Sequence, residues 1–131
     1  MNKVILITGA SSGFGKSTAE LLTSKGYIVY GTSRKPATHP TVKMLVMDVR
    51  DRASVKAGVE QIVAEQGRID VLINNAGMGI GGCLELATEE EIRIQMDTNF
   101  GGCVNLTQAV LPYMREAGRG RIVNISSIVP V

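Results

Sequence analysis

Hydrophobic and polar positions along this chain fall into two alternating periods. Val4-Ile5-Leu6-Ile7 is apolar at every position, and Ile28 to Thr32, Met44 to Met47, Val71 to Ile73 and Ile122 to Ile125 are nearly so. Runs this short, without in-and-out alternation, read as strands buried on both faces. Between them apolar residues recur at helical spacing. A first helix is expected to follow Gly15, with Phe14, Thr18, Leu21, Leu22 and Lys25 on one face, and Gly26 is placed as its stop. A second helix is expected after Asp51, with Val55, Val59, Ile62 and Val63 repeating on one side and Gly67 closing it. A longer helical stretch precedes the fifth strand. Thr88 followed by Glu89, Glu90 and Glu91 forms a capping box with acids at the positive helix end, and Pro112 is expected to end or kink the helix. Gly101-Gly102 beside Cys103 is costly inside a helix and predicts a close approach to the sheet or to a partner chain. Strands alternating with amphipathic helices predict an α/β fold with a doubly wound parallel sheet.

Composition narrows the picture. With 131 residues, 44% of them hydrophobic, the chain can build one core and hardly two. No apolar run approaches membrane-span length and the N-terminal tetrad is too short for a signal-peptide core, so no membrane role and a cytoplasmic location are expected. Cys83 and Cys103 are expected as reduced thiols. A net charge of +2 is too mild to argue for nucleic acid, and Arg115, Arg119 and Arg121 read as decoration of a helix end and a turn. His39, in the Pro-flanked turn from Pro36 to Thr41, is assigned nothing beyond solvation. No metal-ligand constellation stands out.

The first strand runs into Thr8-Gly9-Ala10-Ser11-Ser12-Gly13-Phe14-Gly15-Lys16-Ser17. A strand that delivers a Gly-rich turn to a helix N-terminus aims unpaired N–H groups and the positive end of the helix dipole at one spot, which suits a pyrophosphate. Gly9 would permit the tight turn, Gly13 the approach of a ligand, and Gly15 the close packing of helix on strand. Gly15-Lys16-Ser17 resembles the end of an NTPase P-loop, but that pattern needs glycine where Ala10 stands. The glycines read Gly-x-x-x-Gly-x-Gly.

The end of the second strand carries a further signal. In dinucleotide folds a carboxylate there holds the adenosine ribose of NAD, whereas an arginine accommodates the 2′-phosphate of NADP. Here Ser33 occupies the expected acidic position and Arg34 follows it. NADP is therefore expected rather than NAD, because a guanidinium grips phosphate with paired charge-assisted bonds.

Thr8 with the Gly-x-x-x-Gly-x-Gly turn, Asp48-Val49 after the third strand, Asn74-Asn75-Ala76-Gly77 after the fourth, Asn99 in the long helix, and Ser127 in Asn124-Ile125-Ser126-Ser127 together resemble the short-chain dehydrogenase/reductase family. The resemblance covers nearly the whole chain and implies a Rossmann-like fold. Its cofactor-binding positions would be Gly9, Ser11, Ser12, Gly13, Phe14, Gly15, Ser33, Arg34, Asp48, Val49, Asn75, Ala76 and Gly77. Asp48-Val49 would meet the adenine edge and Asn75-Ala76-Gly77 would lie against the cofactor. The implied chemistry is hydride transfer between nicotinamide and a carbonyl or alcohol carbon of a small molecule. Ser127 would hold the substrate oxygen and Asn99 would order a water in a proton relay. A homodimer or homotetramer, paired through the long helix, is also implied.

The family's proton donor is a tyrosine assisted by a lysine, written Tyr-x-x-x-Lys, downstream of the serine. The sequence stops at Val131 before such a pair, and none of Tyr27, Tyr30 and Tyr113 is followed by lysine at that spacing. The expectation is a domain from 1 to 131 belonging to a longer enzyme. A non-catalytic cofactor-binding fragment and, remotely, an NTPase are the alternatives. In a stable monomeric fragment, the fifth strand would be a bare hydrophobic edge.

Overall fold

The computed structural model describes residues 2–77 and 84–125. Among them, β1 (Val4–Ile7), β2 (Ile28–Ser33), β3 (Lys43–Val46), β4 (Val71–Asn74) and β5 (Arg121–Asn124) form one parallel sheet in the order β3-β2-β1-β4-β5. Each strand lies within one residue of its expected span. Chain direction across the sheet reverses beside β1, so a crevice opens above the carboxyl ends of β1 and β4. β5 pairs only with β4 among the described residues, which leaves its other edge open.

The continuous apolar character of β1 has a direct cause. Val4 and Leu6 face a core formed with α2 (Arg52–Gln66) and α4 (Gly102–Ala117), through Val55, Val59, Ile62, Leu106 and Val110. Ile5 and Ile7 face the opposite core, closed by Ala19 and Leu22 of α1 (Gly13–Ser24). Period-two strands covered on both sides have no polar positions to spare. Asp51 caps α2 through the amides of Ala53 and Ser54, and Gly67 ends it in the left-handed conformation. Thr88 caps α3 (Glu89–Met96) by accepting from the Glu91 amide.

Three expectations need correction. Phe14 and Leu21 are exposed, and the face that α1 buries is Gly15 and Ala19, with Leu22 half-buried; Lys25 lies past the helix end. Two small residues one turn apart bring this helix close to the sheet, with Leu22 packed beside them and Phe14 and Leu21 exposed. Pro112 does not end α4, which runs on to Ala117, because Leu106, Val110 and Met114 are buried on either side of it and anchor both halves in one core. His39 is not a solvated bystander. Its Nδ1 accepts from the amides of Thr41 (3.1 Å) and Val42 (3.2 Å), while Nε2 faces Glu20 of α1 at 3.3 Å.

Opposite the crevice, Asp70 pins the amino ends of the strands. Its buried carboxylate accepts from the Val4 amide at 2.8 Å and from Arg68 at 2.8 and 2.6 Å, with Arg119 at 3.9 Å. Arg119 is thus more than surface decoration. Burial pushes the Asp70 carboxyl upward, but the Arg68 fork, the Val4 amide and the two cations outweigh it and hold the group below the usual carboxylate range. A carboxyl depressed by folding stabilises above its unfolded value, and that stability is lost as pH falls through the lower folded value. Stability is therefore expected to drop below about pH 4. Asp70→Asn should lower stability at neutral pH, because it removes the charge that the Arg68 fork and the Val4 amide meet, and should flatten the acid limb of the urea-unfolding profile.

Candidate functional site

A cleft of about 370 Å³ sits at the carboxyl ends of β1, β2 and β4. Its floor is tied together by Thr8, the first residue past β1. The Thr8 hydroxyl accepts from the amides of Asn75 (3.0 Å) and Ala76 (2.9 Å), just past β4. In return the Asn75 side-chain amide donates to the carbonyls of Thr8 (3.2 Å) and Gly9 (3.1 Å). On the other side, the Gly9 amide donates to the Thr32 hydroxyl and the Ala10 amide to the Thr32 carbonyl.

This clamp explains two of the glycines. Gly9 has φ +67°, and a Cβ there would stand 2.9 Å from the Ala76 Cα. At Gly15 a Cβ would lie 2.0 Å from the Gly9 carbonyl oxygen and 2.5 Å from the Asn75 amide nitrogen, so α1 can begin here only without a side chain. Ser12, the N-cap of α1, lines the cleft and makes no side-chain cap bond, so no cap side chain occupies the first-turn amides.

Of the expected cofactor-binding residues, Gly9, Ser11, Ser12, Phe14, Ser33, Arg34, Asp48, Val49, Asn75, Ala76 and Gly77 all line this one cleft. Gly13 and Gly15 do not: Gly13 is exposed at φ +58° and Gly15 is buried beneath the turn. Arg50, Thr32, Met47 and Thr98 line it too and were not anticipated. Arg50 forks the Asp48 carboxylate at 3.1 and 3.0 Å, and its amide donates to the same group. The Arg50 guanidinium thereby holds the Asp48 carboxyl below its ordinary range.

Asn99 sits in a π-helical turn, Asp97–Gly101, that joins α3 to α4. Its Oδ1 lies where a Cβ on Gly77 would come within 2.9 Å, so Asn99 stands at the cleft's far wall although it does not line the cleft itself. Of the two roles expected for Gly101-Gly102, Gly102 takes the inward one. A Cβ there would fall 2.7 Å from Val49 Cγ2, and Asn105 donates to the Val49 carbonyl at 2.9 Å. Ser127 and Cys83 lie outside the described residues; Cys103 is a half-buried free thiol. No metal-ligand cluster and no helix long and apolar enough to cross a membrane occur among the described residues.

Sequence reading missed Thr8 as a working part of the site, although a signal existed: it is the polar residue ending an otherwise unbroken apolar strand just before the turn. Thr32 gives the same signal at the end of its strand.

Comparison with known proteins agrees with this geometry. The family model described as short chain dehydrogenase matches residues 3–130. A 3-ketodihydrosphingosine reductase of Bacteroides thetaiotaomicron is 68% identical over 127 residues, covering 96% of this chain and 47% of that protein. The crystal structure of a short-chain dehydrogenase from Streptomyces avermitilis superposes with a TM-score of 0.90 at 40% identity, over 97% of this chain and 50% of that one. A structure of ElxO with NADP bound matches with a TM-score of 0.90 at 32% identity, over 97% and 56%. The chain spans about half the length of the curated relatives it matches.

Two substitutions test the clamp. Thr8→Val keeps the shape but strands two amides, and should lower unfolding free energy by about 2 kcal/mol in urea titration. Gly15→Ala should be worse still, since the new methyl overlaps backbone that cannot yield; a melting temperature within a degree or so of the parent would refute the close approach.

Proposed function

The chain belongs to the short-chain dehydrogenase family, and on that premise we propose that it is the nucleotide-binding part of an NADP-dependent oxidoreductase that interconverts a ketone or aldehyde with an alcohol. The observation that carries the cofactor choice is at the end of β2. Ser33 and Arg34 line the cleft there, and Asp48, the one acid lining it among the described residues, is forked by Arg50. An adenosine ribose bearing a 2′-phosphate would meet a cation at the end of β2, where Ser33 stands in place of an acid. The ElxO structure holding NADP lends support from a relative.

The cleft suits a dinucleotide. In this reading Gly9, Ser11, Ser12, Gly13 and Phe14 surround the pyrophosphate at the uncapped start of α1, with Gly15 setting the helix close enough to reach it. Asp48 and Val49 border the adenine, and Asn75, Ala76 and Gly77 form the floor under the rest. NADP, when bound, supplies or accepts the hydride. Asn99 would order a water for the proton relay and Ser127 would hold the substrate oxygen. The reading also requires a tyrosine assisted by a lysine, which these 131 residues do not carry; a mass of the natural protein above 14.0 kDa is the expected outcome. Pairing through α4 into a homodimer or homotetramer and a cytoplasmic location complete the proposal.

The relative from Bacteroides thetaiotaomicron supports a ketone substrate, and 3-ketodihydrosphingosine is the first compound to try. The intact protein should oxidise NADPH in its presence. Arg34→Asp should weaken NADPH binding roughly 100-fold while changing NADH little, because it removes charge-assisted bonds that only the 2′-phosphate makes. Equal loss of both nucleotides would overturn the assignment.

A further inference from the structure

The backbone between β3 and α2 is pinned from three sides. The Met47 amide donates to the Ser33 carbonyl of β2 at 2.9 Å and the Asp48 amide to the Ser54 hydroxyl of α2 at 3.1 Å, while the Val49 carbonyl accepts from Asn105 of α4. The Asp51 amide closes a turn on the Asp48 carbonyl at 3.0 Å. With its main chain fixed, Asp48 keeps only the rotation of its side chain, and Arg50 takes that away. The Arg50 amide and Nε donate to Oδ1 at 3.0 and 3.1 Å, and Nη2 donates to Oδ2 at 3.0 Å. A planar guanidinium bonded to both oxygens sets the plane of a carboxylate, which a single-point contact does not.

Stability is not what this fork supplies. Both side chains are partly exposed, and such pairs add little to folding free energy. What it fixes is direction. Arg34, at the end of β2, also acts on the Asp48 charge, and Arg50 in turn feels Asp97 of the π turn. A carboxylate free to rotate could pair with Arg34; the forked one is committed to Arg50. An ionised carboxylate offers about four acceptor positions. Here Oδ1 already accepts twice and Oδ2 once, so one position on Oδ2 remains. Asp48 and Arg50 both line the cleft, and the Asp48 carboxyl is held below its ordinary range and so stays ionised. The open position takes a hydrogen-bond donor and rejects an acceptor.

We propose that Arg50 is a positioning residue for the purine of the cofactor: it aims the open lone pair of Asp48 Oδ2 at the 6-amino group, so that the site selects a 6-amino purine over a 6-oxo one. The proposal rests on the reading that Asp48 borders the adenine. A 6-oxo group in the same place would set an oxygen against a carboxylate with no proton between them, which is selection by repulsion as well as by attraction. Arg50 acts through Asp48 and has no contact of its own to make with the base.

The test compares NADPH with its deamino analogue, reduced nicotinamide hypoxanthine dinucleotide phosphate, by titration of the intact protein. The two differ only in the purine and both carry the 2′-phosphate, so any change at Arg34 cancels in the ratio of their affinities. The native protein should prefer NADPH by about tenfold or more, the effect of one hydrogen bond to a charged acceptor. Arg50→Met should cut that preference to about threefold or less, and Arg50→Lys, which keeps the charge but cannot fork, should do the same. In an Asp48→Ala background, which should itself lack the preference, Arg50→Met should change the ratio no further. The ratio compares two ligands on one protein, so a modest loss of stability in any variant leaves it readable. Native preference retained in Arg50→Met overturns the proposal and leaves the adenine reading standing. A preference lost in Arg50→Met but kept in Arg50→Lys overturns it too, since charge and not the fork is then what matters. No preference in the native protein, or one that Asp48→Ala keeps, means that the adenine reading beneath the proposal has failed.

Discussion

The structure depends on the reciprocal hydrogen bonding between Thr8 and Asn75. Each sits one residue past the end of a central strand, and each uses its side chain to satisfy backbone groups of the other's segment. Parallel neighbours at a topological switch point diverge as they leave the sheet, and their backbone groups would otherwise face a crevice unpaired. The clamp closes that gap with the Thr8 hydroxyl and the Asn75 side-chain amide. It also fixes the Gly9 carbonyl, against which Gly15 must pack, and so determines where α1 begins and where its first-turn amides point. A strand end, a turn and a helix N-terminus are set by one pair of residues.

The two ends of the sheet handle charge differently, and the difference follows from burial. At the amino end Asp70 is buried and saturated by the Val4 amide and Arg68, an arrangement suited to holding strands in place. At the carboxyl end Asp48 is half-exposed and held by Arg50, and Arg34 stands nearby with its side chain in solvent. Exposed pairs contribute little to stability and exchange partners readily. Charges at that end are available to a ligand, whereas those at the other are committed to the fold.

The fold was legible in the sequence because burial on both faces leaves an unmistakable mark: β1 has no polar position, and the strands fell within a residue of their expected spans. Caps were legible for a similar reason, since Asp51, Gly67 and Thr88 each satisfy a local backbone requirement. The errors came where a distant contact overrides a local rule. Pro112 should break a helix, but buried neighbours on either side hold α4 through it. Phe14 and Leu21 fit an apolar stripe, yet two small residues set the face that meets the sheet. His39 looked inert because its partners, two amides close in sequence and a glutamate 19 residues away, show no pattern in the chain. The expected cofactor-binding positions read from the sequence only as a list; that eleven of them line one cleft, and that Thr8 ties the ends of two strands beneath it, required the sheet order.

The far wall of the cleft shows how one half of the chain positions the other. α4 is held to the segment after β3 by two contacts on Val49: the bare backbone of Gly102 against its side chain, and Asn105 on its carbonyl. Val49 follows Asp48, so the place where α4 starts is tied to the proposed adenine border. Immediately before α4 the helix widens into a π turn, an insertion that rotates the preceding residues relative to those after it. Asn99 lies in that turn, with its side chain against Gly77, where any Cβ would intrude. Gly102 meets Val49 and Asn99 meets Gly77, three residues apart along the chain, and the π turn lies between these two contacts and sets their relative rotation. An asparagine beside the floor of the cleft is thereby carried on a helix whose start is fixed against Val49.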